Sequence, residues 1–421
     1  MKRWSLKRWI GLLGPGLITG AADDDPSGIS TYAVTGATTG FALLWLLALT
    51  TPMMAVIQGM CARLGMVTGV GLGTTMRQRL SPWLLYPLAL LTVGANIINA
   101  GADLEGMAAS STMVLGLPPW AWILFFGVLL TIFQTFLSYE KISAVIKWLT
   151  VALFAYVVTA FIVHPPWGQI ARSLVVPHVE FKASFLTTAM ALLGTTITPY
   201  LFFWQASLEV EEEKKMGRTT VAQRRGATQQ EITDEHADVN IGMILSNLVA
   251  FFIIVTTAAT LFATGHTHIA SAQDAAEALR PLAGRFAYLL FALGMVGTGL
   301  LAIPALVGSS AYVVSECHKW NEGLSETIRS APGFYGTLII GTLIAMAMGF
   351  LRIDPIAALY WSAVINGVVA VPLLAMIVSF ASDEKLMGKW RSSPLARAWG
   401  WATVVCMGLA AISIFAFWGK S

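Results

Sequence analysis

The sequence predicts an all-α membrane protein built as a single bundle of transmembrane helices, and three observations support this fold class. Of the 421 residues, 56% are hydrophobic and 12% are charged, whereas soluble domains have about 25% charged residues. The mean hydropathy is +0.70. The apolar residues form segments of about 20 residues, the length that crosses the hydrocarbon core as a helix. The chain therefore fits one polytopic domain, 1–421.

Eleven apolar segments follow one another along the chain, and each is predicted to be a membrane span. Each is bounded by polar, Gly-rich or Pro-containing stretches that end a span. The spans cover residues 10–36, 41–63, 83–114, 120–138, 142–163, 183–208, 239–264, 283–315, 334–351, 355–380 and 395–418.

The Lys and Arg residues predict the orientation of these spans. With the N-terminus in the cytoplasm, most of the 26 Lys and Arg lie inside; those left outside are Arg172, Lys182, Arg280, Arg285, Arg352 and Lys420. The positive-inside rule then places the C-terminus outside. The basic start and first apolar run also resemble a signal peptide, but removing the first span would reverse the charge asymmetry. We expect a multi-pass protein of the bacterial inner (plasma) membrane.

The first span is interrupted by three carboxylates, Asp23, Asp24 and Asp25, which are followed by Pro26 and Gly28. Proline lacks an N–H and glycine tolerates almost any backbone angle, so the helix should break here. A carboxylate at bilayer depth persists where it faces a protein interior, a watery cavity or a counter-ion. A broken helix with carboxylates indicates an ion site in a secondary transporter. We predict a cation site at Asp25; the alternative is an exposed loop after a short hydrophobic hairpin.

A polar stripe follows the third span. Steps of three, four and seven residues place its members on one helix face, namely Asn96, Asn99, Asp103 and Ser110. Such a stripe in a membrane helix faces the bundle interior or a water-filled path. For the two asparagines, the alternative is a hydrogen bond to a neighbouring helix. Glu105 lies about 200° round the helix from Asp103 and needs a different neighbour.

The sixth span repeats the plan of the first. An apolar half is followed by Gly194, Thr195, Thr196 and Thr198, and then by Pro199. Two interrupted helices, each at the start of a five-helix half, predict two inverted repeats with the site between the breaks. On this plan, residues 10–163 form the first repeat, 183–380 form the second, and 395–418 form an extra helix.

Three further polar features need an interpretation. Asn366 lies in the middle of the tenth span, where an amide either bonds a neighbouring helix or lines a site. Residues 209–240 include a run of glutamates at 211–213; we interpret them as a solvated, partly mobile linker rather than a metal-entry patch. His266 and His268 have no acidic neighbours in the sequence, so we predict no metal site there.

The sequence contains no motif of a soluble enzyme. HExxH, GxSxG, the P-loop and GxGxxG are all absent. Cys61, Cys317 and Cys406 are far apart and show no CxxC spacing, which predicts neither a disulfide framework nor a zinc site. Nothing indicates nucleic-acid binding or ATP drive. We expect a membrane protein that is not an enzyme, has no cofactor, and has an ion and the lipid bilayer as partners.

At Asp25-Pro26-Ser27-Gly28 and Thr198-Pro199-Tyr200 the chain resembles the Nramp family of divalent-metal transporters. The resemblance covers nearly the whole chain, including the Gly14-Pro15-Gly16 start and the two interrupted spans. It implies the LeuT-type fold, in which helices 1 and 6 are broken and two inverted five-helix repeats are followed here by an eleventh helix.

The resemblance also implies roles for individual residues in the two breaks. The family pattern on helix 1 is Asp-Pro-Gly-Asn, so Asp25 keeps the metal-binding aspartate and Gly28 replaces the ligating asparagine. On helix 6 the family has Ala-Thr-Val-Met-Pro-His. Here Thr195 replaces the alanine that offers its carbonyl, Thr198 replaces the ligating methionine, and Tyr200 replaces the histidine tied to proton coupling.

Helices 3 and 10 depart from the family pattern too. Asp-x-x-Glu on helix 3 becomes Asp103-Leu104-Glu105-Gly106, which loses the second acid, and Asn366 replaces a glutamine near the metal on helix 10. The resemblance implies that the metal-site positions are Asp25, Gly28, Thr195, Thr198 and Asn366. The candidates for the cavity or a proton relay are Asp23, Asp24, Asn99, Asp103 and Tyr200.

These departures predict the transported ion. A thioether favours softer transition metals, whereas hard oxygen ligands suit Mg²⁺, Ca²⁺ and Mn²⁺. Mg²⁺ keeps several waters and binds through one or two carboxylates. The pattern is similar to the Nramp-related magnesium transporters, which implies import of Mg²⁺ and Mn²⁺ without obligatory proton coupling. The alternatives are an ordinary proton-coupled Mn²⁺/Fe²⁺ symporter, a sodium-coupled organic-solute symporter and a membrane-embedded aspartyl hydrolase.

Overall fold

The protein is helical throughout the part of the chain that the computed structural model describes, residues 14–136, 151–351 and 353–417. No strand occurs within these ranges. The helices before residue 180 are α1 (Pro15–Asp23), α2 (Pro26–Thr39), α3 (Leu44–Thr68), α4 (Leu72–Arg79), α5 (Pro82–Leu115), α6 (Pro119–Phe136), α7 (Phe154–Ile162) and α8 (Trp167–Val175).

The second half of the chain continues the same architecture. Its helices are α9 (Ala183–Thr196), α10 (Pro199–Lys215), α11 (Val221–Arg224), α12 (Gln229–Thr260), α13 (Ala272–Glu277), α14 (Arg280–Ala283), α15 (Ala287–His318), α16 (Pro332–Met348), α17 (Pro355–Ser382), α18 (Glu384–Met387) and α19 (Pro394–Phe417). Many of these helices begin at a proline, whose missing N–H costs nothing at the first helical position and whose fixed φ suits the helix.

Eight helical stretches of the described residues are long and apolar enough to cross a membrane. The predicted first span is not among them because it is divided into α1, with 9 residues, and α2, with 14 residues. The ninth span, α16, has only 17 residues. Residues 142–150 of the predicted fifth span lie outside the described ranges. The predicted class, an all-α membrane protein with two broken helices, is confirmed.

The interpretation of residues 209–240 as a solvated linker is wrong. α10 extends to Lys215 and α12 already begins at Gln229, so most of this segment is helical. Glu209, Glu211 and Glu213 are only 7%, 4% and 1% exposed. A composition-based interpretation fails here because charged residues at the ends of these helices are buried against one another rather than solvated.

Glycines allow the broken helices to lie directly against the backbones of neighbouring helices. A Cβ on Gly20 of α1 would meet the backbone of Gly242 on α12. A Cβ on Gly194 of α9 would meet the carbonyl of Ala363 and lie 2.6 Å from the amide nitrogen of Gly367, both on α17. Neither contact has room for a side chain, so these positions set how closely α1 and α9 approach the rest of the bundle.

We therefore expect Gly194→Ala to lower the free energy of unfolding by about 1–3 kcal/mol, because the added methyl meets backbone that has no flexible side chain to move. The measurement is thermal unfolding of the purified protein in detergent. The control is Gly336→Ala on α16, where nothing lies within 4 Å of the new Cβ; this variant should be about 0.5–1 kcal/mol more stable. Equal stability of the two variants would contradict the close α9–α17 contact.

Candidate metal site

The first helix break is produced by Asp25 and the proline that follows it. Asp24 (φ −79°, ψ 55°) and Asp25 (φ −72°, ψ 169°) leave the helical region between α1 and α2. The Asp25 carboxylate then caps α2 by accepting a hydrogen bond of 2.6 Å from the Gly28 N–H through Oδ1. The positive end of the helix dipole favours a negative group at this position. The sequence therefore fixes one carboxylate at the N-terminus of α2.

The second break lies between α9 and α10. Ile197 (φ −121°, ψ 73°) and Thr198 (φ −101°, ψ 137°) are not helical, and Pro199 begins α10. Thr198 occupies the N-cap position, but its side chain makes no capping hydrogen bond. Its Oγ1 is buried and has no hydrogen-bond partner among the described residues. This hydroxyl is therefore available to another ligand.

The two breaks meet at Gly28. A Cβ built on Gly28 would lie 3.3 Å from Asp25 Oδ1, 3.3 Å from Thr195 Oγ1 and 3.4 Å from the carbonyl oxygen of Asp23. The hydroxyl of Tyr200, in the first turn of α10, donates a hydrogen bond of 2.6 Å to the carbonyl of Ala22 at the end of α1. The structure thus brings Asp25, Gly28 and Thr195 together, and it uses Tyr200 to join the two broken helices.

α5 forms one wall of this region. Asn99 Nδ2 donates to Asp25 Oδ2 at 2.8 Å, and Asp103 Oδ1 accepts from the Ser27 N–H at 3.0 Å. Asn96 instead lies 3.4 and 3.2 Å from the hydroxyls of Ser309 and Ser310 on α15. The polar stripe therefore divides, because Asn99 and Asp103 contact the first break while Asn96 takes the alternative role of bonding a neighbouring helix.

Asn366 lies on α17, which contacts both broken helices. Ser362, one turn earlier on α17, lies 3.1 Å from the hydroxyl of Ser27 on α2. Gly367, the next residue along, lies against Gly194 on α9. Asn366 is 2% exposed, and its Oδ1 has no hydrogen-bond partner in the described part of the chain. Asn366 therefore lies on a stretch of α17 that contacts both broken helices, and no hydrogen bond joins it to Asp25 among the described residues.

The three consecutive aspartates do not share one environment. The Ser246 hydroxyl on α12 donates to Asp23 Oδ2 at 2.5 Å and lies 3.2 Å from Asp24 Oδ1. Asp25 instead contacts Asn99 on α5. The sequence did not indicate which carboxylate faces which helix, and it did not identify Ser246. The sequence feature that could have identified Ser246 is a pair of adjacent polar residues, Ser246 and Asn247, in the middle of the apolar segment 239–264.

The site is rich in buried oxygen atoms and poor in donors. Among the described residues, no hydrogen-bond partner is found for Asp23 Oδ1, Asn99 Oδ1, Asp103 Oδ2, Thr198 Oγ1 or Asn366 Oδ1. No Lys, Arg or His in the described ranges forms an ion pair with any of the four aspartates near the first break, Asp23, Asp24, Asp25 and Asp103. Buried, unpaired carboxylates are costly, and a cation or a proton removes that cost.

The acidic groups do not form a metal site from their side chains alone. Within the described residues, no three His, Cys, Asp or Glu side chains are placed to hold one metal ion. A metal at the breaks would therefore have one or two carboxylates, with hydroxyl, amide and backbone oxygens completing its shell. This donor set is one that hard cations accept, since Mg²⁺ in particular binds few carboxylates and retains water.

His266 and His268 have acidic neighbours in space that the local sequence did not reveal. His266 and His268 line a cavity of about 680 Å³ together with Asp274 and Glu277. Both acids have protein partners, because Asp274 accepts from the Ala270 N–H at 3.0 Å and Glu277 pairs with an arginine at 3.0 Å. Within the described residues, no three of these histidine and acidic side chains are placed to hold one metal ion, and the absence of a metal site here stays a prediction.

Comparison with solved structures reveals similar folds at low sequence identity. The manganese transporter of Eremococcus coleocola, in complex with an aromatic bis-isothiourea substituted compound, is 19% identical, with a TM-score of 0.79 over 100% of this chain and 90% of that chain. Mhp1, a nucleobase-cation-symport-1 family transporter, is 14% identical, with a TM-score of 0.55 over 97% and 93% of the two chains. MhsT in complex with L-phenylalanine is 11% identical, with a TM-score of 0.58 over 95% and 97%.

These likenesses establish the fold, which is the LeuT type that the resemblance predicted. The family is established by the chain's own sequence. The model for the natural resistance-associated macrophage protein-like (Nramp) family matches residues 16–416, which include both helix breaks and all the site residues described above. The chain therefore belongs to the Nramp family of divalent-metal transporters, and it is a transporter rather than an enzyme.

Proposed function

We propose that this protein imports Mg²⁺, and Mn²⁺ as a second substrate, across the bacterial inner membrane without obligatory proton coupling. In this proposal the N-terminus is cytoplasmic and the C-terminus is external, as the distribution of Lys and Arg favours. The observations that carry the proposal lie at the two breaks: the buried Asp25 carboxylate accepts from the Gly28 N–H and from Asn99 at the first break, and Thr198, the residue in place of the family's methionine, has a buried hydroxyl without a hydrogen-bond partner among the described residues at the second.

The donor set favours a hard, largely hydrated ion. Asp25 supplies a carboxylate, Thr195 and Thr198 supply hydroxyls, and Asn366 supplies an amide oxygen, while Gly28 has no side chain to contribute. None of these groups is soft, so the site lacks the sulfur ligand that would strengthen binding of Fe²⁺ and Mn²⁺ relative to Mg²⁺. Because Gly28 offers no side-chain ligand, water would complete the shell of an ion held there.

The membrane potential can drive this transport by itself. A potential of 100 mV, negative inside, favours entry of a divalent cation by about 4.6 kcal/mol, twice the value for a single charge. This corresponds to about 2,000-fold accumulation at equilibrium. A coupled proton is therefore not needed for uptake. The hydrogen bond from Tyr200 to the Ala22 carbonyl also supports a structural role for the residue that replaces the family's histidine.

A proton-coupled Mn²⁺ symporter is the second candidate function. It is favoured by the manganese transporter from Eremococcus coleocola, whose fold covers the whole of this chain, and by Asp103, a buried acid beside the first break. A sodium-coupled organic-solute symporter shares the fold, but the acid-rich break favours a small cation. We also propose that residues 10–163 and 183–380 form the two inverted repeats and that residues 395–418 form an extra helix.

The proposal is tested by uptake into proteoliposomes with Mg²⁺ or Mn²⁺ outside and a pH-sensitive dye inside. We expect Mg²⁺ to enter, Mn²⁺ to inhibit its entry and the lumen not to acidify. Asp25→Ala should reduce Mg²⁺ entry to the level of empty liposomes, because it removes the carboxylate at the N-terminus of α2.

The control is Glu384→Ala, which removes an exposed carboxylate that pairs with Arg391 far from the breaks; this variant should transport normally. Correct folding of both variants is checked by size-exclusion chromatography. Entry of Mn²⁺ with acidification and without Mg²⁺ entry would show an ordinary proton-coupled carrier. Near-native uptake by Asp25→Ala would disprove the site.

Thr198→Met should shift selectivity towards Mn²⁺. The substitution places a thioether at the N-cap of α10, where the threonine hydroxyl is now buried without a hydrogen-bond partner, and a soft ligand strengthens binding of transition metals relative to Mg²⁺. We expect the ratio of Mn²⁺ to Mg²⁺ uptake to rise about tenfold, which corresponds to about 1.4 kcal/mol. Thr198→Val, which removes the hydroxyl without adding sulfur, should not raise that ratio. An equal ratio in the two variants would place Thr198 outside the ligand shell.

Tyr200→Phe should destabilise the protein without changing the pH dependence of uptake. The substitution leaves the Ala22 carbonyl without its donor in a buried position, which costs about 1–3 kcal/mol. Thermal unfolding measures this loss, and uptake measured across a pH series tests the proton-relay alternative. The control is Tyr360→Phe, whose hydroxyl shares a hydrogen bond of 3.0 Å with Thr188. A change of the pH profile in Tyr200→Phe alone would favour the proton-coupled candidate.

A further inference from the structure

A serine on another helix holds two of the three consecutive aspartates at the first break. Ser246 on α12 is 2% exposed, and its hydroxyl donates to Asp23 Oδ2 at 2.5 Å and lies 3.2 Å from Asp24 Oδ1. A serine hydroxyl has one hydrogen and two lone pairs, so it donates to one of these carboxylates at a time. Both carboxylates are therefore tied to α12 through a single hydroxyl group.

The short side chain of Ser246 reaches the break because the backbones of α1 and α12 are in contact. Gly242 lies one turn before Ser246 on α12, and Gly20 lies three residues before Asp23 on α1, so the members of each pair share a helix face. A Cβ on Gly20 would meet the carbonyl of Gly242. Larger residues at these two positions would separate the helices and move the hydroxyl away from the carboxylates. The glycine contact thus sets the reach of the Ser246 hydrogen bond.

Asp25 is held by different helices. Its carboxylate accepts from the Gly28 N–H at 2.6 Å and from Asn99 Nδ2, on α5, at 2.8 Å. A Cβ built on Gly28 would lie 3.3 Å from both Asp25 Oδ1 and Thr195 Oγ1, so this carboxylate lies beside the second broken helix. The three acids are thus divided, since two contact α12 while Asp25 contacts α5 and lies close to α9.

In the described part of the chain, no other side chain donates a hydrogen bond to Asp23 or Asp24. Asp23 Oδ1 is buried without a hydrogen-bond partner there, and no Lys, Arg or His of those ranges lies within 4.0 Å of either carboxylate as an ion pair. The next polar residue, Asn247, is directed to α3, where its Nδ2 lies 2.9 Å from Met54 Sδ. Removing the Ser246 hydroxyl would therefore leave both carboxylates free to turn towards a cation.

We propose that Ser246 is a positioning residue for ion selection, which holds Asp23 and Asp24 on α12 and leaves Asp25 as the one carboxylate that the transported ion meets at the break. This inference rests on the proposed function in taking Asp25 as a metal ligand. Ser246 itself does not touch the ion. It acts through the two aspartates, because it determines how many carboxylates enter the shell of the ion.

The number of carboxylates in the shell decides which hard ion binds better. Mg²⁺ keeps several waters and binds through few carboxylates, whereas Ca²⁺ takes about six to eight oxygen ligands and accepts carboxylates through one or both oxygens. A site with a single carboxylate therefore suits hydrated Mg²⁺, and each added carboxylate strengthens binding of Ca²⁺ more than binding of Mg²⁺. By withholding Asp23 and Asp24, Ser246 keeps the affinity for Ca²⁺ low.

The competing explanation is that Ser246 only stabilises the contact between α1 and α12. A buried carboxylate that loses its donor destabilises the folded protein under either explanation, so a fall in stability does not distinguish them. They differ in ion selectivity, because the loss of a purely structural contact does not favour Ca²⁺ over Mg²⁺.

The test is the displacement of bound Mn²⁺ by Ca²⁺ and by Mg²⁺, measured from the electron paramagnetic resonance signal of free Mn²⁺ with the purified full-length protein in detergent. In Ser246→Ala we expect the dissociation constant of Ca²⁺ to fall about tenfold and that of Mg²⁺ to fall less. Ser246→Cys should change both constants in the same direction, because a thiol occupies similar space but is a weak donor. This second variant keeps the test valid if the alanine variant folds poorly.

A mutant cycle shows whether the serine acts through the aspartates. In a protein that already carries Asp23→Asn and Asp24→Asn, Ser246→Ala should no longer change the dissociation constant of Ca²⁺, since no carboxylate remains for the serine to hold. Thr260→Val is the matched control on α12. It removes a hydroxyl that, among the described residues, bonds only the Thr256 carbonyl of its own helix, at 2.7 Å, and it should bind all three ions as the wild type does.

The outcomes separate this inference from the proposed function. If the dissociation constant of Ca²⁺ is unchanged in Ser246→Ala and Ser246→Cys, or still falls when both aspartates are replaced, Ser246 does not position the acids and the inference is wrong. If Asp25→Ala binds Mn²⁺ as tightly as the wild type, the assignment of the metal site at the breaks is wrong. If Mg²⁺ does not displace Mn²⁺ from the wild type, the proposed Mg²⁺ transport fails, while the Ca²⁺ measurement still tests Ser246.

Discussion

Backbone groups freed at bilayer depth cannot be hydrated, and this constraint determines how the two helix breaks are built. The Gly28 N–H is satisfied by Asp25, the Ser27 N–H by Asp103 on α5, and the Ala22 carbonyl by Tyr200 on α10. Two of these three partners come from other helices, so the first break is stable only when its neighbours are in place. The helix termini that could bind an ion are thus positioned by the same hydrogen bonds that make the breaks tolerable.

Sequence reasoning succeeded where the signal was local. Pro26 and Pro199 predict the breaks, because a proline disrupts the interior of a helix but is favoured as the first residue of the next helix. Asp25 immediately precedes one of these prolines, which is the position from which a carboxylate caps the helix. Apolar segment length predicted the helical membrane fold in the same way. The family resemblance, carried by short motifs at the two breaks, is confirmed by a match over residues 16–416.

The remaining features depend on which helices become neighbours, and local patterns do not contain that information. Whether Asp23 or Asp25 faces α5 is decided by the backbone angles at the break, and the contact with Ser246 joins residues more than 200 positions apart. The error at residues 209–240 has the same origin. A run of acids next to basic residues looks solvated in the sequence, yet Lys214 and Arg218 pair with two of those acids against the bundle.

The contact between α1 and α12 has a further consequence for movement. Gly20 and Gly242 bring backbone against backbone, so no side chain of either residue is inserted into the opposite helix. Tilting α1 at this contact would therefore not require side chains of these two glycines to repack. It would instead break the three hydrogen bonds at Asp238 and those that Asp23 and the Ala22 carbonyl form with Ser246 and Tyr200. The short first helix thus combines a smooth contact surface with hydrogen bonds at its two ends, so its freedom to move against α12 depends on exchanging those bonds.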